Sequence, residues 1–434
     1  MEHADLIIDA RWLIPVEPAQ ALLEAHGIVV NAGNIVHIGP SSEIAARYAA
    51  ESRVSLSEHV LVPGLVNLHT QAATSLLRGL ADERPHSERL HNPLSAIESQ
   101  TLSHAFVRDG TLLACAEMLQ GGITCFSDMY FFPEAAAEAA VEAGMRASLG
   151  MVVLETPTPY AVDPHDYLAK GLAMRDDLRD EPLLTFCIAP HAASDSTLER
   201  VATYAAELDV PVHMRVHQST GEIAESFAAH KARPLARLQR LGLLGPSFTA
   251  VHCVHFEPSE IDALCQHDCS VAHCPSANLR LGRGIAPVAA MLTRGVNVGL
   301  GTGSVTSNAR LDVLGEMRAA ALLAKGASGD PAAVPAHAAL HMATLAGAKA
   351  LGLDEHIGSL VPGKRADIAA IRLSDLALAP VYDALAHLVY AAGREHVSHV
   401  WVGGKLRVED GALTGLDARE LALKAAHWRD RIKA

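Results

Sequence analysis

The sequence predicts an α/β chain: a (β/α)8 TIM-like barrel with a small β-sandwich domain built from both termini. Three observations carry this expectation. From about residue 61 to 350, short apolar segments rich in β-branched and small residues alternate with long Ala-rich amphipathic stretches, the pattern of repeated βα units. Strand-like segments flank that region on both sides. The 434 residues also suffice for a barrel of about 250 to 300 residues plus a smaller appended domain.

Residues 1–60 contain ADLIIDARWLIPV, then GIVVNAGNIVHIGP with a turn at Asn31-Ala32-Gly33-Asn34, and then HVLVPG. These are apolar strand runs broken by turn formers and make the N-terminal part of the β-sandwich. Residues 61–353 hold the barrel. Its eight expected strands are LVPGLVNLHT, ITCFSDM, ASLGMVV, LLTFCIAPH, VPVHMRVHQ, FTAVHCVH, CSVAHCP and VNVGLGTG, apolar on both faces as a buried parallel sheet requires. Between them, Pro133 starts a helix that Gly144 ends, and Ser196 with Glu199 reads as a capping box before LERVATYAAELDV. Residues 354–434 return to strands in GSLVPGKRADIAAIRL and HVSHVWVGGKLRVEDGAL and finish with a closing helix.

Composition excludes several partners. There are 35 basic and 49 acidic residues, a net charge of −14, with no basic cluster to relieve it; nucleic-acid phosphates would be repelled. The N-terminal apolar stretch is interrupted by Glu2, Asp5, Asp9 and Arg11, and no segment runs 18 apolar residues, so neither export nor membrane insertion is expected. Seven cysteines scattered from Cys115 to Cys274 do not make a disulfide framework in a chain this long, which fits a cytoplasmic setting. Cys265, His267, Cys269, His273 and Cys274 have the composition of a metal site. The competing reading is that Cys265 and Cys269 close a helix starting near Ser259 and that SVAHCP is the next strand.

Barrel chemistry projects from the C-terminal ends of the strands. Histidines recur there: His69 on the first, His191 after the fourth, His213 and His217 flanking Arg215 on the fifth, His252 and His255 on the sixth, His273 on the seventh. Each alone is most simply a hydrogen-bonded core residue. Together they predict a shared small-molecule pocket.

The blocks PGLVNLHT, SLLRGLADE, AEMLQGGITCFSDMYFFPEA, CIAPH, VHCVH, AHCPSANLRLG, GLGTG, SNARLDVLGEMRAAALLAKG and PGKRADIAAI span nearly the whole chain. They resemble the amidohydrolase superfamily and, within it, the branch of 5-methylthioadenosine/S-adenosylhomocysteine deaminases and chlorohydrolases. That resemblance implies one divalent metal, usually zinc. Its ligands would be an H-x-H pair after the first strand, a histidine on the fifth and an aspartate after the eighth. A glutamate three residues past the fifth-strand histidine would shuttle protons, and a sixth-strand histidine would orient the attack on an adenine-type ring. The same resemblance implies self-association, commonly as a dimer.

Carried over by position, the family pattern falls on His69, Gln71, Arg215 and Gly303 for the metal, Gln218 for the glutamate and His252 for the sixth-strand histidine. Only His69 and His252 match. A guanidinium is a permanent cation without a lone pair to donate, glycine offers no side chain, and glutamine neither takes up nor releases a proton near neutrality. Loss of three ligands costs at least ~10³-fold in affinity if each is worth no more than an outer partner. A relocated site built from His69, His217 and His252 is the competing arrangement. The substrate-side segments ADERPHSERLHNPLSAI and AASDS also depart from the branch; Ser127, Asp128 and Tyr130 persist.

Two principal readings follow. In the first, the chain is a catalytically inactive or repurposed homologue that holds no metal and binds a small anionic ligand through His191, Arg215, His217 and His252 at the barrel mouth. Arg215 could instead pair with a nearby protein carboxylate. In the second, it is an active hydrolase acting on C–N bonds of a methylthioadenosine-like heterocycle through a rearranged or metal-free site, with zinc as the cofactor if the site is merely relocated. A structural dimer module is the third expectation.

Overall fold

The computed structural model describes residues 1–80, 93–191 and 193–433. The expectations placed on ADERPHSERLHNPLSAI at residues 81–92, and on AASDS at residue 192, lie outside the described residues.

The barrel strands run in chain order through one sheet: β5 (Leu65–Gln71), β6 (Ile123–Asp128), β7 (Arg146–Val153), β8 (Leu184–Pro190), β9 (Val212–Val216), β10 (Phe248–His252), β11 (Ser270–His273), β12 (Asn297–Leu300) and β13 (Gly303–Ser304). The eight expected segments account for β5 to β12. The two-residue β13 adds the closure: Gly303 and Ser304 pair in parallel with Thr70 and Gln71 of β5, so the last strand comes back beside the first. Gly301 makes this approach fit. A Cβ there would lie 2.8 Å from both Cβ and N of His69, inside van der Waals contact.

The helices between strands start and stop where local chemistry dictates. Pro133–Ala143 carries proline in its first turn and ends on Gly144 at φ 65°. The helix Asp195–Leu208 begins before the expected Ser196 box, because the hydroxyl of Ser194 accepts from Thr197 N. Cys265 lies in the last turn of a helix, Pro258–Gln266, Cys269 falls beyond its end, and His273 ends β11; none of the seven cysteines is in a disulfide.

The small β domain from both termini is one continuous mixed sheet. β1 (Glu2–Leu13), β2 (Leu23–Asn31), β3 (Asn34–Pro40) and β4 (Tyr48–Pro63) come from the N-terminal side, and β14 (Ile368–Arg372), β15 (Val397–Val402), β16 (Lys405–Glu409) and β17 (Ala412–Leu413) from the C-terminal side. The two halves join where His59 to Pro63 of β4 pair antiparallel with Arg372 to Ile368 of β14. Leu6, Ile8 and Ala10 alternate into a core with Ile28, Val30, Ile368 and Trp401. Ile7 faces the other way, onto Val29, Ile44 and Tyr48; both faces of β1 are therefore covered.

The chain divides into two compact units: residues 1–67, 117–125 and 312–416 in one, and 68–116, 126–311 and 417–434 in the other. His69, Asp128, His191, Arg215, His252 and Gly303, at the C-terminal ends of the barrel strands, all fall in the second. So does the closing helix Ala418–Lys433, whose Trp428 donates to Asp109 at 2.9 Å and meets Phe106 edge-on. Among the described residues no helix is long and apolar enough to cross a membrane.

Candidate ligand site at the barrel mouth

Strand periodicity puts His213 and Arg215 on the same side of β9, and the structure uses both. Nδ1 of His69 lies 2.9 Å from Nε2 of His213, with the rings stacked 5.1 Å apart. His252 stands edge-on to His69 at 5.8 Å, and its Nε2 is 3.3 Å from the guanidinium of Arg283. All three imidazoles are buried. Burial first, and neighbouring positive charge second, press His69 and His252 well below the ordinary histidine range and His213 down to about 3. His191, just past β8, is likewise held at about 3 by burial and by Arg215. Near neutral pH the cluster is a set of uncharged rings around a guanidinium.

That guanidinium, Arg215, is itself disfavoured by burial, yet it makes no ion pair or hydrogen bond among the described residues, and its Nε is buried without a partner. The nearby acids are engaged elsewhere. Glu222 accepts from the backbone N–H groups of His217 at 3.0 Å and Gln218 at 2.8 Å, and Glu98 accepts from the Tyr130 hydroxyl. Burial raises the carboxyls of both Glu222 and Glu98. The expectation that Arg215 pairs with a protein carboxylate is therefore not met among the described residues. Gln218 is in the same condition: its amide oxygen is buried and unpartnered. Arg215, Gln218 and His191 line one cavity of about 710 Å³ with Met129, Leu154 and Pro190.

His217 departs from expectation. Periodicity places it on the side of Arg215, but β9 ends at Val216 and His217 adopts φ 52°, which turns its side chain away. Its ring is fully buried, with Nε2 accepting from Leu235 N at 3.2 Å and Nδ1 3.4 Å from Glu260. Arg233 grips the same carboxylate at 2.8 and 2.9 Å. Burial alone would raise Glu260, but the bonds from His217 and Arg233 outweigh it and hold the group near 2. His217 thus joins a structural ion-pair cluster. It neither lines the ligand cavity nor meets His69 and His252, so the relocated three-histidine arrangement does not form.

The remaining family positions have been given over to other contacts. Gln71 donates its amide to the carbonyl of Met129 at 3.3 Å, and Gly303 sits at φ 71° with no side chain to offer. A zinc ion needs three or four N, S or O donors at about 2.0 to 2.3 Å. Among the described residues no three His, Cys, Asp or Glu side chains converge in that way. The donor set does not fit zinc: one imidazole already bonded to another, an amide tied to the backbone, a cation and a glycine.

Several site residues were not singled out by sequence. Glu222 organises the β9 turn, and the Ser219-x-x-Glu222 spacing is a capping signal that could have revealed it; Ser219 does accept from Glu222 N at 3.2 Å. Arg283, which reaches His252, had no such signal. Asp128, by contrast, is one of the three residues noted as persisting; it accepts from Ala72 N at 2.7 Å and is raised to about 7 by burial, the backbone bond only partly opposing this. Asn278, not singled out by sequence either, is buried and interacts with His252.

Comparison with known proteins supplies the ancestry. The family model described as "Amidohydrolase family" matches residues 60–407. A 5-methylthioadenosine/S-adenosylhomocysteine deaminase of Teredinibacter turnerae is 43% identical over 433 residues, covering 99% of this chain and 98% of that protein. Its counterpart in Saccharophagus degradans is 42% identical over 434 residues, covering 99% and 97%. A crystal structure of a zinc-bound adenosine deaminase from Xanthomonas campestris superposes with a TM-score of 0.98 at 40% identity, covering 100% of this chain and 99% of that one. A triazine hydrolase variant at 23% identity and TM-score 0.90 shares the fold. On the extent of this similarity, from end to end of the described barrel, the chain belongs to the amidohydrolase family.

Proposed function

We propose that this chain is a member of the adenosine-analogue deaminase branch whose barrel mouth binds a small molecule without zinc, and that the zinc-dependent hydrolytic cycle does not run there. The single observation that carries this reading is Arg215. A part-buried guanidinium, its Nε fully enclosed, stands on β9 at the family's metal-ligand position, where it repels a divalent cation and cannot coordinate one. Gln218 supports the reading independently, since an amide cannot take the proton that a glutamate there would shuttle. The scaffold around these residues is intact, which suits a binding role such as ligand sensing.

A second reading is favoured by a different observation, the 43% identity over essentially full length to a relative named as a deaminase. On that reading the chain still hydrolyses a C–N bond of a methylthioadenosine-like heterocycle, by a metal-free or rearranged route that uses His252. One assay separates the two. Ammonia release is followed from 5′-methylthioadenosine, S-adenosylhomocysteine and adenosine, with added zinc and with chelator. No turnover in either condition is the expected result; turnover that chelator leaves untouched establishes the second reading, and zinc-dependent turnover overturns the metal-free reading altogether.

A further inference from the structure

Two orphaned polar atoms share the barrel-mouth cavity, and they are of opposite kind. Nε of Arg215 is a donor and Oε1 of Gln218 an acceptor; both are buried and neither has a partner among the described residues. Buried polar groups are almost always satisfied, because leaving one unmade forfeits its hydration for nothing. A fixed positive charge without an ion pair is costlier still. The acids nearest to Arg215 are occupied, Glu222 by two backbone N–H groups and Glu98 by Tyr130. The rest of the wall includes Met129, Leu154, Pro190 and Met214, which ask for an apolar body.

Resting on the reading of this cavity as a small-molecule site, we propose that its ligand is a monocarboxylate with an adjacent hydroxyl or amino donor and an apolar body. The carboxylate takes the guanidinium of Arg215, and the neighbouring donor takes the amide oxygen of Gln218. A planar guanidinium matches a carboxylate in bidentate fashion. A single charge is the better complement than a phosphate dianion: of the two arginines on the wall, Arg237 is already paired with Asp195, and Glu155, Glu222 and Glu225 line the same cavity.

The test is calorimetric titration of the purified full chain with mandelate, which carries a carboxylate, an adjacent hydroxyl and a phenyl ring. The comparison ligands are mandelamide and phenylphosphonate, and the variants are Arg215→Met and Gln218→Leu. Saturable mandelate binding is expected. Mandelamide and the Arg215→Met chain should each lose at least ~10-fold in affinity, the scale of a hydrogen bond to a charged partner, with a smaller loss for Gln218→Leu. The melting temperature of the free Arg215→Met chain should stay at or above the parent's, because Arg215 makes no bond among the described residues that the change would break, so a binding loss cannot be ascribed to misfolding. Absence of mandelate binding, equal binding of mandelamide, tighter binding of phenylphosphonate, or unchanged affinity in Arg215→Met would each overturn the proposal. Failure here together with binding of 5′-methylthioadenosine leaves the small-molecule reading standing, whereas zinc-dependent ammonia release removes that reading whatever mandelate does.

Discussion

Nδ1 of His69 and Nε2 of His213 lie 2.9 Å apart with their rings stacked, so the one imidazole that survives from the family's metal set is spent on a neighbouring imidazole. The pair is buried and uncharged near neutrality, and one ring must donate while the other accepts. Its consequence is mutational. His213→Phe strands a buried nitrogen on His69 and should cost about 1 to 3 kcal/mol, while the double change His69→Phe/His213→Phe should recover part of that loss because no orphan remains. Denaturant unfolding of the two singles and the double gives the coupling; additive losses would mean the rings do not form a pair.

Rebuilding the donor set should rebuild the metal site. The combination Gln71→His, Arg215→His, Gln218→Glu and Gly303→Asp should bind about one zinc per chain, whereas Arg215→His alone should not, since three to four donors are needed. The aspartate carries a conformational cost, because residue 303 is at φ 71° and a side chain there would meet Ala277 and Ser307 at 3.2 Å; ~1–2 kcal/mol is expected from the left-handed backbone. Metal content by mass spectrometry decides, and zinc retention by the single variant would mean that the other three positions are not needed.

Much of the barrel was legible in the sequence. The eight strand segments and the histidines at their ends were readable from apolar runs, and the displaced family positions from the resemblance to the amidohydrolases. His217 was misplaced because period-2 reasoning assumes that the strand continues, and β9 stops one residue short of it. The pairing of Gln71 with the Met129 carbonyl and the absence of a partner for Arg215 among the described residues were not readable at all, since each depends on which groups the barrel closure brings together. Local signals fared unevenly: Pro133 and Gly144 bracketed their helix, while the capping box read at Ser196 lies inside its helix, which Ser194 caps two residues earlier.

Asp128 should make stability depend on pH. Its folded value of about 7 lies above the ordinary 3.8, so the folded protein holds a proton that the unfolded chain releases. Stability from this group is therefore greatest at low pH and is lost as pH rises from about 4 to about 7. Asp128→Asn keeps an acceptor for Ala72 N and removes the charge. Its stability should exceed that of the parent by a few kcal/mol at pH 8, at ~1.4 kcal/mol for each pH unit separating the folded and unfolded values, with little gain at pH 4. Parallel denaturation curves at the two pH values check this, and an equal gain at both would exclude titration as the cause.

The Arg233–Glu260–His217 cluster gives the opposite sign. Glu260 is held near 2, below its ordinary 4.5, so its contribution is fully present above about 4.5 and fades as pH falls toward 2. Glu260→Gln leaves the partly buried Arg233 and the buried His217 without their carboxylate, and a loss of about 2 kcal/mol is expected at pH 7, between the exposed and fully buried limits. Urea unfolding of parent and variant should draw together as pH falls and converge only below about pH 2.

If Arg215 on β9, with Gln71 and Gly303, leaves no place for zinc, the metal content of the intact protein shows it without intermediate steps. The full chain is equilibrated with excess zinc, passed through a desalting column and analysed by mass spectrometry. Zinc far below one ion per chain is expected, unchanged by a brief wash with dilute chelator. One tightly held zinc per chain, lost only on unfolding, would show that these side chains bind the metal after all.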